Sequence, residues 1–388
     1  MDGLESSAEP LSRNDARIVP LYDAARKSIE GARDSAAQIA VARSGELVAA
    51  GAFGSAICGG HLRHATAATL LTIFSCTKAI TAAAAWILLH EGHLGLSTRV
   101  GEVLGELGPK PIGQVTVEQL LTHTAGFPSA EAERFAPDRV DSYARWEVEW
   151  EPGSRFVYHP TSSMWVLADI IARVAGIDYR EFIRRRITEP LELDLYVGVP
   201  ESEQTRVADV VRVGEPMTAD ERAVAPVDAP VVDDDTIAAA NSRTSRMAGS
   251  PSGGAVATAA SLAMFYQGAL GDLAGNGPGI WDSAILEEAT RVRNPGFVDP
   301  MTGHAAMRGL GVVVSGGDDR MWRGFPLECS PRAFGHMGAG GQVAWADPES
   351  GISFAYLTNA AQRNPVLQGA TGFALSTLAL EALSRRTT

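Results

Sequence analysis

Ser75-Cys76-Thr77-Lys78, followed by Ala79-Ile80-Thr81-Ala82-Ala83-Ala84-Ala85-Trp86-Ile87-Leu88-Leu89, decides how this chain is read. The run after Lys78 is rich in Ala and Leu, which predicts a buried helix. Ser75 and Lys78 lie three residues apart and share one face. At a helix N-terminus the free backbone N–H groups and the dipole favour negative charge. A serine oxygen becomes nucleophilic beside a base, and a desolvated lysine is such a base. The chain has only three lysines, Lys27, Lys78 and Lys110, and arginine supplies nearly all its other positive charge. A bland account also exists, in which Ser75 caps the helix and Lys78 reaches out to water.

Three more motifs follow in order. His123-Thr124-Ala125-Gly126 comes after Leu120-Leu121-Thr122. Pro152-Gly153-Ser154-Arg155-Phe156-Val157-Tyr158-His159 is next, and Phe334-Gly335-His336-Met337-Gly338-Ala339-Gly340-Gly341 lies far downstream. In this order and spacing the chain resembles the class C β-lactamase-like serine hydrolases. That group includes penicillin-binding proteins, D-amino-acid peptidases, family VIII carboxylesterases and some acyltransferases. The resemblance runs from about residue 19 to about residue 383.

The resemblance implies roles. Ser75 would be the nucleophile that forms an acyl-enzyme, splitting one hard step into two. Lys78 would be largely buried, with its pKa lowered. Tyr158 opens the match to a Y-x-N motif, and either it or Lys78 can take the serine proton. Here the motif reads Tyr158-His159-Pro160, so the asparagine amide is absent. His336-Met337-Gly338 stands where relatives carry Lys-Thr-Gly. An imidazole there would titrate near neutrality and could hydrogen-bond Tyr158 or a substrate oxygen. Gly338 would let the strand approach the substrate closely. The backbone N–H groups of Ser75 and Ala339 would form the oxyanion hole. These departures favour the esterase and acyltransferase branches over β-lactam chemistry.

Other features are read as structural. His123 fits a turn after a short helix. Cys76 reads as a packing residue, and Ser252 as a turn serine. His90-Glu91-Gly92-His93 lacks the spacing of a zinc helix. There is no G-x-S-x-G elbow, phosphate loop or dinucleotide fingerprint. No cofactor or metal is called for.

A net charge of −13 argues against nucleic acid and anionic membranes as partners. Hydrophobic content of 45% supports a sizeable core. Cys58, Cys76 and Cys329 provide no disulfide framework. Met1-Asp2-Gly3-Leu4-Glu5 shows no leader pattern, so a cytoplasmic location is expected. No oligomeric state is indicated.

Helical spacing is expected over 19–31, 117–123, 164–175, 182–187, 255–270 and 366–385. Residues 38–42 and 47–50 read as one hairpin, and 343–346 with 352–357 as another. Residues 309–314 read as a strand. Residues 199–248, broken by Pro216, Pro226 and Pro230, read as an extended surface connection, either a wall of the active-site cleft or a solvated loop with no role. The expected fold is α+β, of the β-lactamase/transpeptidase type, with an antiparallel sheet flanked by helices. Residues 18–96 and 290–388 would form the sheet lobe and 97–289 a mainly helical lobe, with the active site between them. The function expected is hydrolysis of a small carboxylic ester or related amide through Ser75. An acyltransferase keeps the same site with another acceptor. A β-lactamase or D-amino-acid peptidase, and a catalytically dead binding protein, are the remaining readings.

Overall fold

The computed structural model describes residues 15–133, 139–224 and 232–384. Residues 1–5, read above for a leader, and Pro226 and Pro230 lie outside them. The helices are α1 (Val19–Lys27), α2 (Thr77–His90), α3 (Val100–Val103), α4 (Val117–Leu121), α5 (Val140–Tyr143), α6 (Ser162–Ala175), α7 (Tyr179–Ile183), α8 (Ala219–Val224), α9 (Asp234–Asn241), α10 (Arg243–Ala248), α11 (Ala259–Leu273), α12 (Ser283–Thr290) and α13 (Pro365–Ser384). The strands are β1 (Ala36–Arg43), β2 (Glu46–Cys58), β3 (His61–His64), β4 (Leu71–Thr72), β5 (Leu195–Val197), β6 (Val211–Val213), β7 (Ala255–Ala257), β8 (Val313–Val314), β9 (Phe334–Met337), β10 (Val343–Asp347), β11 (Ile352–Thr358) and β12 (Ala360–Gln362).

Seven strands form one antiparallel sheet in the order β3-β2-β1-β11-β10-β9-β8. Its centre joins the two ends of the chain, because β1 pairs with β11, Ile39 facing Tyr356 and Ala40 facing Ala355. The two faces differ in kind. Ala40, Ala42, Ala344, Ala346 and Ala355 point to the core that holds α2 and α11. Ile39, Val41, Trp345, Phe354 and Tyr356 point to the core under α1 and α13. Small side chains let helices approach closely on one face, and bulky ones fill the other. Both faces are covered, so the central strands read as continuous apolar runs rather than alternating ones. α11 falls in the mainly helical stretch by sequence order, yet in space it packs on β1, β10 and β11.

α2 is buried along almost its whole length. Gly92, at φ +72°, ends it. Its N–H donates to Leu89 O at 3.2 Å and that of His93 donates to Leu88 O at 3.0 Å, closing the helix in a Schellman turn. α13 is, among the described residues, the one helix long and apolar enough by composition to cross a membrane. Leu375, Ala379 and Leu380 pack it into the same core as α1.

Three expectations need correction. Residues 199–248 are not extended throughout but carry β6 and three short helices, α8, α9 and α10. Caps nucleate two of these, since Asp233 Oδ1 accepts from Thr236 N–H at 2.7 Å and Ser242 Oγ from Ser245 N–H at 3.3 Å. Residues 255–257, expected as the start of a helix, form β7 between β4 and β5, and Thr258 caps α11 instead. Of 309–314 only Val313–Val314 is strand. Gly311 there has φ +77° and donates to Leu121 O at 3.0 Å, so the chain is tied to the end of α4 rather than to a strand ladder.

Candidate active site

Ser75 sits in a single turn of 3-10 helix, Phe74–Cys76, between β4 and α2. Phe74 before it has φ +43°, a conformation that costs a bulky residue energy and persists only where its surroundings enforce it. The enforcing contacts are visible. Ile73 N–H donates to Ala255 O at 3.0 Å, and the Phe74 ring is buried with Val210, Val232 and Ala361, next to Ala339. The 199–248 connection thus supplies part of the wall beside the nucleophile.

Lys78, one turn later, has no exposure. Its Nζ lies 3.3 Å from Ser75 Oγ and donates to Pro160 O at 2.8 Å and Ser252 O at 2.9 Å. The turn bearing Ser252 is pinned along the same helix. Thr81 Oγ1 donates to Pro251 O at 2.7 Å and Ala255 N–H donates to Thr77 Oγ1 at 3.1 Å. Burial lowers the pKa of the Lys78 ammonium from its usual range. Tyr158 and Cys76 pull the other way and Arg308 pushes it further down. With two N–H groups held by carbonyls, an uncharged amine has its lone pair left for Ser75.

Tyr158 faces Lys78, whose Nζ is 4.9 Å from the ring centre. Its loop is held from behind. His123, at φ +58°, accepts the His159 N–H at Nδ1 (3.2 Å) and lies 4.7 Å from the Tyr158 ring, centre to centre. His159 Nε2 accepts from Phe127 N–H at 3.1 Å, so Nδ1 carries the proton and donates to Val157 O at 2.6 Å. Burial lowers the pKa of both imidazoles, that of His159 to about 4. His123 and His159 are therefore neutral struts for the tyrosine.

His336 lies on β9, its ring 6.3 Å from that of Tyr158. Nδ1 must donate to Met337 O at 2.6 Å, which leaves Nε2 as a bare acceptor, buried and without a partner among the described residues. Burial, then Arg308 and Lys78, push its pKa well below the ordinary imidazole value. This corrects the expectation of a titration near neutrality, because an imidazole buried beside Arg308, with no carboxylate near it, stays neutral. Cys76 fastens this strand to the nucleophile turn, its Sγ donating to His336 O at 3.1 Å. Its thiol is fully buried and its pKa is raised, so it is no rival nucleophile.

Gly338 runs against the turn so closely that a Cβ would meet Ile73 O at 2.5 Å. Ala339 packs beside Phe74, so the segments that carry the Ser75 and Ala339 backbone N–H groups meet at this point. One charged side chain was not anticipated. Arg308, from the loop before β8, puts its guanidinium carbon 5.3 Å from the Tyr158 ring and 5.4 Å from that of Phe156. The sequence signal was thin, a single arginine in Ala306-Met307-Arg308-Gly309. A cavity of about 640 Å³ behind α11, lined by Leu191, Met264, Gln267 and Arg332, contains no comparable nucleophile and base. No cluster of three metal-ligating side chains occurs among the described residues.

A serine against a buried lysine, a facing tyrosine and a glycine-edged strand, mounted on this sheet, define a β-lactamase-fold hydrolase. Residues 25–379 match the family model named Beta-lactamase, and the chain belongs to that family. It is 25% identical over 328 residues to the esterase/beta-lactamase LipL of Mycobacterium tuberculosis (strain ATCC 25618 / H37Rv), covering 74% of this chain and 68% of that one. Its fold matches a penicillin-binding protein homologue from Caulobacter crescentus with TM-score 0.76 and 26% identity, over 95% of this chain and 98% of the other. A family VIII carboxylesterase matches with TM-score 0.73 and 23% identity, over 94% and 98% of the two chains.

Proposed function

We propose that the protein hydrolyses a carboxylic ester of a small molecule through an acyl-enzyme on Ser75. The observation that carries this is the setting of Lys78, buried, 3.3 Å from Ser75 Oγ, with its other donors occupied by two carbonyls. In this reading the uncharged Lys78 amine accepts the Ser75 proton as Oγ attacks the acyl carbon. Charge on the carbonyl oxygen passes to the Ser75 and Ala339 N–H groups. Tyr158 relays the proton to the departing alkoxide. Water then attacks the ester on Ser75, giving its proton back along the same path and releasing the acid. Proton-transfer help of this kind is worth about 10²–10⁴ in rate, and one oxyanion donor about 10²–10³.

The ester class is favoured over β-lactams because the β9 motif holds a neutral histidine where a lysine would meet a carboxylate. The test is twofold. A fluorophosphonate should label Ser75, shown by mass spectrometry, and Ser75→Ala should abolish both labelling and p-nitrophenyl ester turnover. Retained labelling at another serine refutes the assignment. Products are then analysed with millimolar alcohols and amines present. Excess transfer product over free acid would make the protein an acyltransferase with the same site.

A further inference from the structure

Arg308 is buried in the site, 9% exposed, and the acyl transfer above does not use it. Its backbone is fixed, since its N–H donates to Asn294 Oδ1 at 2.9 Å. Its charge is poorly paired. Nη2 is 3.5 Å from Asp299 Oδ2, too long for a good hydrogen bond, and Nε is buried with no partner among the described residues. Burying a cation costs several kcal/mol unless it is well paired, and two aromatic faces repay only part of that. An incompletely paired buried charge against the ring of a proton-transfer residue points to a functional group rather than a stabilising one. Moreover, Arg308 and the Lys78 nitrogen share the Tyr158 ring, at 5.3 Å and 4.9 Å from its centre.

We propose that Arg308 is a positioning residue for acylation, whose fixed charge against Tyr158 favours the uncharged amine at Lys78 and the negative oxygen that develops at Tyr158 as the proton is relayed. This rests on the acyl-enzyme reading given above. The groups that face Lys78 are Tyr158, Cys76, His123, His159, His336 and Arg308. Burial keeps the three imidazoles and the thiol uncharged near neutrality. Arg308 therefore supplies the permanent positive charge, delivered from the loop before β8 instead of from β9.

The chain has three lysines, so protein labelled with ¹³C at lysine Cε gives a spectrum of three titrating signals, and the one lost in Lys78→Ala identifies Lys78. Arg308→Gln should raise the Lys78 midpoint by about one unit and carry the acidic limb of kcat/KM upward with it. Ester turnover below that limb then falls about tenfold, and turnover above it falls less, by the charge lost at Tyr158 alone. Arg308→Lys keeps the charge and should keep the midpoint. Asp299→Asn removes the counter-charge and should move the midpoint down. A Lys78 midpoint unmoved within about 0.2 unit in Arg308→Gln, or moved upward in Asp299→Asn, overturns the proposal. If Arg308→Gln does not fold, the direction in Asp299→Asn and the match of Arg308→Lys to wild type decide. The lysine titration needs no turnover, so failure of Ser75 labelling would sink the acyl-enzyme reading separately.

Discussion

Replacing Gly338 by alanine tests whether the end of β9 must lie against the nucleophile turn. The added Cβ would stand 2.5 Å from Ile73 O, 2.9 Å from Gln342 Cβ and 3.3 Å from Phe74 Cβ. Ordinary contact begins at 3.4 Å, so the strand end must retreat from the Ile73 carbonyl by about 0.9 Å. Ile73 cannot give way easily, because its own N–H is held by Ala255 O. The retreat carries the Ala339 N–H with it. A misplacement of about 1 Å costs roughly 10² in rate, and loss of an oxyanion donor costs 10²–10³. We expect kcat/KM for a p-nitrophenyl ester to fall about 10²-fold, or about 2.7 kcal/mol of transition-state stabilisation. Overpacking should also cost about 1–3 kcal/mol of stability, read by urea unfolding. Gly105→Ala is the control, since a Cβ there meets nothing within 4 Å. A folded Gly338→Ala enzyme with kcat/KM within about threefold of wild type would refute the reasoning.

Tyr158→Phe should slow acylation by about 10²–10⁴ while leaving urea unfolding nearly unchanged, because the ring contacts remain. Wild-type burst kinetics in that variant would remove Tyr158 from the proton path. His336→Gln should leave the shape of the pH–rate profile between about pH 6 and 8 unaltered, since the imidazole is already neutral there; a limb that disappears would show the opposite. Stability should fall in acid. His159 is held at about 4 in the fold, below the unfolded value of 6.5, so the unfolded chain takes up the proton first. The stabilisation is full above about pH 6.5 and lost as pH drops toward 4, a change of at most about 3 kcal/mol for this one residue. His159→Gln should flatten the dependence of unfolding free energy on pH across that window, and an equal slope in both proteins would count against the buried neutral imidazole.

Strong local patterns made much of the molecule legible. The β10–β11 hairpin, the apolar α2 and its Gly92 cap carry their signals within a few residues. The structure brings Ser75, Lys78, Tyr158 and His336 to one place, with Gly338 and Ala339 at its edge. What escaped notice depends on contacts between distant segments. Arg308 has no local motif, and its meaning arises only when its loop folds over Phe156 and Tyr158. The neutral state of His336 follows from burial and the neighbouring Arg308, which is not adjacent in sequence. Residues 199–248 misled because capping by Asp233 and Ser242 outweighs weak periodicity and scattered prolines.

The cage around Lys78 is built from peptide carbonyls, those of Pro160 and Ser252. Every amino acid carries such a carbonyl, so what is inherited at these two positions is the route of the chain and not the letter. Substitution there is free wherever the turn survives, and Pro160 fills its place in the cage through its carbonyl alone. Divergence can thus rewrite the residues that meet a substrate while the base stays seated. By the same logic, an insertion that reroutes either loop should silence the site even when every motif residue remains in place.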